Sequence, residues 1–211
     1  MSHMRSRSTL LNHLILAQNN FHSLGESNKI YSSNYDLFKM RLKSRLKSTT
    51  ILPLRSAFID QINHNEKTPN PELIYKGGKA IFLVRNPLET FESIRLLTKN
   101  YYQEWQHKRI EDYYLQRLNF LIKLKKKHPN CMAINSDDLI NDSATSLKNL
   151  SQFLELSQPL TANYPTQYFT GVSGDPSNNI RQQQIIHTKN AEYSYEINKT
   201  CYYLFQELIH S

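Results

Sequence analysis

The sequence contains little glycine, little cysteine and no long apolar run. Glycine occurs five times in 211 residues, whereas an average usage near 7% gives roughly fifteen. A glycine-rich phosphate loop of the pattern G-x-x-x-x-G-K-[ST] is absent, which disfavours an ordinary nucleoside-triphosphate hydrolase. The two cysteines, Cys131 and Cys201, are too few for a disulfide framework and lack metal-ligand spacing. We therefore expect neither a disulfide scaffold nor a metal site.

Segments that could cross a membrane are also missing from the sequence. No run approaches the roughly 18 apolar residues of a membrane span, and the N-terminus lacks the apolar core of a signal peptide. Hydrophobic residues nevertheless make up 39% of the chain, which is enough for a folded core. The length suits one domain over residues 1–211. We therefore expect a cytoplasmic, single-domain protein without a membrane partner.

Acidic residues are scarce near the N-terminus, so the net charge of +8 is unevenly distributed. Residues 1–60 hold nine Lys or Arg and three Asp or Glu, a net +6, and the other 151 residues carry +2. This excess predicts an anionic ligand near the N-terminal part. A nucleic-acid-binding module is one alternative, because a predicted helix over 34–48 is rich in basic residues. No aromatic stacking motif accompanies that helix, which favours a solvated basic face and no nucleic-acid partner.

Predicted strands and helices alternate along the chain. The apolar run 79–84 predicts a strand buried on both faces, and shorter strands are predicted at 56–62 and 131–134. Helices are predicted, in chain order, at 10–18, 34–48, 87–97, 101–127, 143–154 and 191–209. The range 101–127 is one helix or a broken pair, and Asp142 or Ser143 caps the helix 143–154. In the helix 34–48 the residues expected to face inward are Leu37, Met40, Leu42 and Leu46. Alternation of this kind predicts an α/β fold with a central, mainly parallel sheet.

The segment Arg5-Ser6-Arg7-Ser8-Thr9 comes directly before the first helical pattern. The N-terminus of a helix presents unpaired N–H groups and a partial positive charge, so it binds oxyanions. Serine and threonine hydroxyls add donors, and arginine adds a fork that fits phosphate or sulfate. The segment by itself is equally compatible with an ordinary helix cap beside solvated arginines.

Arg85 and Ser93 form the second candidate site. Arg85 stands at the carboxyl end of the predicted strand 79–84, where open α/β sheets bind their ligands. Pro87 suits the first turn of the helix that follows, and Ser93 lies about two turns into that helix. Both side chains reach one phosphate if the helix folds back beside the strand end. A strand-to-helix junction with an arginine in a surface ion pair is the alternative.

These two segments, in this order, resemble the cofactor-binding motifs of the sulfotransferase superfamily, whose members use 3′-phosphoadenosine 5′-phosphosulfate as sulfuryl donor. Residues 4–11 resemble the loop around the 5′-phosphosulfate, and residues 83–87 with Ser93 resemble the strand and helix at the 3′-phosphate. Asp137-Asp138-Leu139-Ile140 is similar to a weaker third element, and residues 170–177 with Ile180-Arg181 resemble the late loop of bacterial members. The resemblance implies a P-loop-like three-layer fold, with helices flanking the central sheet, and no metal.

The resemblance also implies a role for each matching residue. The implied donor ligands are Arg5, Ser6, Arg7, Ser8 and Thr9 at the 5′-phosphosulfate, Arg85 and Ser93 at the 3′-phosphate, and Arg181 as a third residue there. His64 lies in a region that resembles the family's catalytic-histidine region, and some bacterial members use a glutamate near the position of Glu26. His64 and Glu26 are therefore the two candidate bases.

The chain departs from the family pattern at three places. Many members have glycine at the position of Arg7, and relatives commonly have lysine at the position of Gln61. Only residues 1–4 precede the loop, so the central strand is expected to be truncated, and donor binding weak, if the native chain begins here.

The sequence thus predicts a bacterial-type sulfotransferase that acts on a hydroxyl or amine of a small-molecule or carbohydrate acceptor. A base that takes the acceptor's proton is worth roughly 10²–10⁴-fold in rate. A degenerate or truncated member without turnover is the first alternative, and the nucleic-acid-binding module is the second. The acceptor and the oligomeric state do not follow from the sequence.

Overall fold

The computed structural model describes residues 1–48, 52–53, 55–76, 78–172, 179–186 and 196–210. Within these residues the chain forms eight α-helices, four β-strands and two 3₁₀ turns. The helices are α1 (Ser8–Leu16), α2 (Asn34–Lys47), α3 (Glu72–Lys76), α4 (Pro87–Tyr101), α5 (His107–Lys127), α6 (Asp138–Asn141), α7 (Ser143–Phe153) and α8 (Lys199–His210). The strands are β1 (Phe21–Ser23), β2 (Ala57–Ile59), β3 (Ala80–Val84) and β4 (Cys131–Asn135), and the 3₁₀ turns are Asn65–Lys67 and Asn179–Gln182. The fold is therefore mixed α/β.

The four strands form two small parallel sheets, and the N-terminal segment lies between them. β1 pairs with β2, and β3 pairs with β4. Ser2 forms a parallel bridge with Leu83 of β3, and its N–H donates to the carbonyl of Ile62, 3.0 Å away and just after β2. Residues 1–3 therefore join the two pairs, in the spatial order β1, β2, residues 1–3, β3 and β4.

Both faces of β3 are buried, as its continuous apolar run predicts. Phe82 and Val84 belong to a core cluster with side chains of α4, α5 and α8. Leu83 points to the opposite face of the strand and belongs to a second cluster with side chains of α1, α6 and α7. Helices therefore cover β3 from both sides, which holds the carboxyl end of the strand in place.

Local capping chemistry explains where α4 begins. The side chain of Asn86 accepts the Leu88 N–H at 2.9 Å, and Pro87 occupies the first helical position, where its missing N–H costs no hydrogen bond. The helix therefore starts two residues after Arg85, which places Ser93 on the second turn behind the strand end.

Most predicted elements are present, with shifted ends. The range 101–127 is not one helix, because α4 extends to Tyr101 and α5 begins only at His107. β1, α3 and α6 are not predicted, since segments of three to five residues show no clear periodicity. Residues 191–195 of the last predicted helix and 173–177 of the late loop lie outside the described residues. In the described part of the chain, no helix is long and apolar enough to cross a membrane.

The predicted inward face of α2 is wrong in part. Met40 is buried, but Leu42 and Leu46 are 47% and 77% exposed. The buried residue on the next turn is Ser44, whose hydroxyl lies 2.9 Å from His22 Nδ1 of β1. α2 therefore buries Ser44 against β1, whereas Leu42 and Leu46 are exposed.

Candidate functional site

The loop before α1 has a strained backbone. Arg5 and Arg7 have φ angles of 63° and 64°, in the left-handed region, which costs a non-glycine residue roughly 1–2 kcal/mol. Residues held in this region cluster at functional sites. The Arg7 side chain does not cap α1, and the first N–H groups of a helix have no intrahelical partner. Arg7 therefore adopts a backbone conformation that favours glycine.

Ser6, between the two strained arginines, is fully buried. Among the described residues, its hydroxyl has no hydrogen-bond partner. A buried hydroxyl left in this way costs about 1–3 kcal/mol, and native structures contain few of them. The loop therefore contains, next to the start of α1, a buried hydroxyl without a hydrogen-bond partner among the described residues.

Arg5 connects the two predicted motifs. Its Nε donates to Ser93 Oγ at 2.9 Å, although the two residues are 88 positions apart. Arg85 lies next to this pair, because its Nη1 is 3.5 Å from the Arg5 carbonyl oxygen. The structure therefore brings the loop, the strand end and the second turn of α4 together.

Two carboxylates neutralise part of this basic cluster. Glu89 Oε2 accepts hydrogen bonds from Arg85 Nε at 2.9 Å and from Arg7 Nη2 at 3.2 Å. Asp137 forms an ion pair with Arg7 and lies 3.8 Å from Arg85 Nε. Burial, and then the adjacent charge of Arg7, lower the pKa of Arg85. An anion bound beside both arginines would reduce their mutual repulsion.

His3 fixes the main chain of Arg85. The Arg85 N–H donates to His3 Nε2 at 2.9 Å. In the neutral ring Nδ1 therefore carries the proton and donates to the Met4 carbonyl at 2.7 Å. Burial lowers the pKa of His3 to about 3, so the ring is neutral at pH 7. The N-terminal segment thus determines where Arg85 leaves the sheet.

His64 and Glu26 both line the cavity that the loop and Arg85 border. Glu26 Oε1 accepts a hydrogen bond from Asn63 Nδ2 at 2.8 Å and lies 3.6 Å from Lys67 Nζ. Burial, and then the nearby Lys67, lower the pKa of His64. The His64 ring is therefore neutral at pH 7 and able to accept a proton, whereas one oxygen of Glu26 already has two partners.

A buried arginine holds the loop that carries His64. Arg117 of α5 donates from Nη2 to the Ile62 carbonyl at 2.6 Å and from Nη1 to Asn65 Oδ1 at 2.7 Å. Its Nε donates to the Ser2 carbonyl at 2.8 Å. Burial lowers the pKa of Arg117 to about 10, which leaves it charged at neutral pH. The residues on either side of His64 are therefore tied to the N-terminal segment.

Many of the residues described above border one cavity of about 1100 Å³. Ligand pockets commonly measure roughly 300–1,000 Å³, so this cavity has room for two small ligands. The predicted site residues that line it are Arg5, Arg7, Ser8, Thr9, Glu26, His64, Arg85 and Ser93. Ser6 and Arg181 do not line it. Arg181 is exposed, and its guanidinium lies against Gly171 at the cavity wall.

Sequence reasoning did not assign Glu89, Asp137, His3 or Arg117 to the site. Glu89 follows Arg85 by only four residues and lies in the first turn of α4, so its pairing with Arg85 is a contact between near neighbours. Asp137 begins the segment that resembles a weaker third element, but its contact with Arg7 joins residues 130 positions apart. His3 and Arg117 also contact the site across long sequence separations, and no local pattern indicates their contacts.

Comparison of the chain with protein-family models and with curated proteins finds no match. Over the residues that the structure describes, no group of three or more His, Cys, Asp or Glu side chains could hold a metal ion. The side chains that line the cavity include arginines, hydroxyls, the imidazole of His64 and the carboxylate of Glu26.

Proposed function

We propose that the protein is a bacterial-type sulfotransferase. Its donor is 3′-phosphoadenosine 5′-phosphosulfate, and its acceptor is a hydroxyl or amine of a small molecule or carbohydrate. The observation that carries the proposal is the hydrogen bond between Arg5 Nε and Ser93 Oγ. This contact joins the two segments that resemble donor-binding motifs, and residues of both segments line one cavity.

The residues of the cavity suit an anionic donor with two phosphate-like ends. The loop 5–9 offers a guanidinium, hydroxyls and the N-terminus of α1 to the 5′-phosphosulfate. Arg85 and Ser93 offer a guanidinium and a hydroxyl to the 3′-phosphate. Arg181, which lies outside the cavity lining but against Gly171 of its wall, is the proposed third ligand there. The strained backbone at Arg5 and Arg7 supports a loop shaped for an oxyanion.

The arrangement of the strands supports the same proposal. We infer a P-loop-like three-layer fold in which residues 1–3 are a short central strand, since helices cover β3 from both sides. Ligands of open parallel sheets bind beyond the carboxyl ends of the strands. Arg5 follows residues 1–3, His64 follows β2, and Arg85 follows β3.

His64 is the base in this proposal. Its neutral ring takes the proton from the acceptor's hydroxyl or amine as the new bond to sulfur forms. The bond between sulfur and the bridging oxygen of the 5′-phosphate breaks, and Arg5 stabilises the charge on that leaving oxygen. Glu26, with Oε1 held by Asn63 and Lys67, is the alternative base.

Donor binding without turnover is a second candidate function, and the ion pairs of the site favour it. Glu89 and Asp137 already pair with Arg7, and Glu89 also pairs with Arg85. Gln61 stands where relatives commonly have lysine. The ion pairs of the arginines and the neutral side chain of Gln61 both reduce the positive charge available to the sulfuryl group during transfer.

Binding of adenosine 3′,5′-bisphosphate, the product of transfer, tests the donor site. We expect it to raise the Tm of the wild-type protein, because a ligand of the folded state stabilises that state. Arg85→Ala should abolish the shift, whereas Arg55→Ala, an exposed arginine outside the cavity, should keep it. An equal shift in Arg85→Ala contradicts the site, and no shift in the wild-type protein contradicts the donor.

Turnover separates the enzyme from the non-catalytic alternative. We expect donor hydrolysis or transfer to fall roughly 10²–10⁴-fold in His64→Ala, with bisphosphate binding retained. His210→Ala, an exposed histidine of α8, is the matched control. Loss in Glu26→Gln but not in His64→Ala would assign the base to Glu26, and binding without any turnover would establish the second candidate.

A further inference from the structure

The cavity contains a fourth arginine with a different environment. Arg109, in the first turn of α5, lines the cavity together with Trp105. Its guanidinium carbon lies 4.3 Å from the centre of the indole ring, in a cation–π contact. Within the described part of the chain, no carboxylate lies at ion-pairing distance from Arg109, whereas Arg7 and Arg85 both pair with Glu89. The guanidinium of Arg109 is therefore available to an anionic ligand.

Aromatic contacts place this pair close to the candidate base. Trp105 meets Tyr113 edge-on, with ring centres 6.0 Å apart, and Tyr113 lies 5.7 Å from the ring of His64. The rings of Trp105 and His64 are therefore at most about 12 Å apart. Because the Arg109 guanidinium carbon is 4.3 Å from the centre of the Trp105 ring, it lies at most about 16 Å from the centre of the His64 ring. A substituted ring with its hydroxyl at His64 can therefore direct a second group towards Arg109.

The segment between α4 and α5 holds Trp105 in a defined position. The Trp105 N–H donates to Thr98 Oγ1 at 3.0 Å, and the neighbouring Glu104 pairs with Arg95 at 3.2 Å. Stacking on the indole fixes the plane of the guanidinium and leaves its N–H edges for other partners. A planar guanidinium in that state binds a carboxylate or sulfate through two parallel hydrogen bonds.

We propose that Trp105 and Arg109 form an acceptor site that selects ring compounds carrying a carboxylate or sulfate group. The aromatic wall supplies contact area for the ring, and Arg109 supplies the charge that recognises the anionic substituent. The inference rests on the proposed function, because His64 must be the base for this end of the cavity to receive the acceptor.

Trp105 is the single tryptophan of the chain, so its fluorescence reports binding at this site directly. The aromatic probes are 4-hydroxyphenylacetate and its neutral analogue tyrosol, and the sugar probes are glucuronate and glucose. We expect each anionic probe to change the fluorescence with an affinity about tenfold higher than its neutral analogue, as one charge-assisted hydrogen-bonded contact provides. Comparison of the two anionic probes shows whether an aryl or a sugar ring is preferred.

Substitution of Arg109 decides whether this residue causes the preference. Arg109→Gln should bind the anionic and neutral probes equally, and Arg109→Lys should recover part of the preference. Arg55→Gln is the control for a general loss of positive charge, and a thermal melt checks the folding of each variant. Equal affinities of the wild-type protein for anionic and neutral probes would overturn the proposal, and so would an unchanged preference in Arg109→Gln or no response to any probe.

Two separate binding measurements distinguish the acceptor site from the donor site. The probes are titrated both with and without adenosine 3′,5′-bisphosphate, whose own binding is read from the melting temperature. Bisphosphate binding without an anion preference overturns the acceptor site alone. An anion preference without bisphosphate binding leaves Arg109 as an anion-binding residue and overturns the sulfotransferase.

Discussion

Acidification should weaken the fold through His3, the buried histidine that receives the Arg85 N–H. The side chain is fully buried, and burial lowers its pKa from an ordinary value of 6.5 to about 3. Protonation would place a second N–H against the Arg85 N–H donor and a positive charge near Arg85 and Arg117. The folded state therefore excludes the proton that the unfolded chain binds.

The size of the effect follows from proton linkage. Between pH 3 and pH 6.5 the unfolded chain carries about one more proton at His3 than the folded chain, so stability rises with pH across that window. The contribution is fully present above pH 6.5 and is lost as the pH falls. Each pH unit within the window is worth about 1.4 kcal/mol, so a change from pH 7 to pH 5 removes about 2 kcal/mol. This figure depends on the unfolded pKa and requires only that the folded pKa lie well below 5.

Urea unfolding of the wild-type protein and of His3→Gln at the two pH values measures this contribution. Glutamine offers an acceptor to the Arg85 N–H without a group that titrates. We expect the wild-type protein to lose about 2 kcal/mol more than His3→Gln between pH 7 and pH 5. His210→Gln, exposed on α8, should behave as the wild-type protein does. Equal acid sensitivity of the wild-type protein and His3→Gln would refute the reasoning.

Two further substitutions test the contacts that support the site. Arg117→Met removes three hydrogen bonds to Ser2, Ile62 and Asn65. We therefore expect urea unfolding to show that the free energy of unfolding falls by about 3 kcal/mol or more. A decrease below about 1 kcal/mol would mean that these contacts contribute little to stability. Gly25→Ala introduces a side chain at a φ of 75° and a Cβ 2.8 Å from Phe169 Cδ2. The left-handed backbone alone costs roughly 1–2 kcal/mol, so the Tm should fall, and an unchanged Tm would show that the turn rearranges freely.

Much of the candidate site was accessible from short segments of sequence. The run from Arg5 to Thr9 reads as the start of a helix, and Arg85 reads as the end of a buried strand, because both patterns lie within a few residues. The resemblance to sulfotransferases added His64 and Glu26, and eight of the ten predicted residues line the cavity. Arg181 was named by the same reasoning, yet its side chain is exposed and outside the cavity lining.

Contacts between distant segments were not accessible in this way. The pairing of Arg5 with Ser93 and of Arg117 with Ile62 joins residues 88 and 55 positions apart. The stacking of Arg109 on Trp105 joins near neighbours, but whether the pair borders a cavity depends on how α4 and α5 pack.

The helices and strands of this protein thus follow mostly from local sequence features, namely apolar periodicity, capping residues and the charge of neighbouring residues. On α2 the apolar pattern fails, because Leu42 and Leu46 are exposed while Ser44 is buried against His22. The site itself arises only when helices pack on both faces of β3 and residues 1–3 insert beside it. Hydrogen bonds and ion pairs between remote segments form only once packing brings their partners within about 3 Å, and sequence periodicity carries no information about that approach.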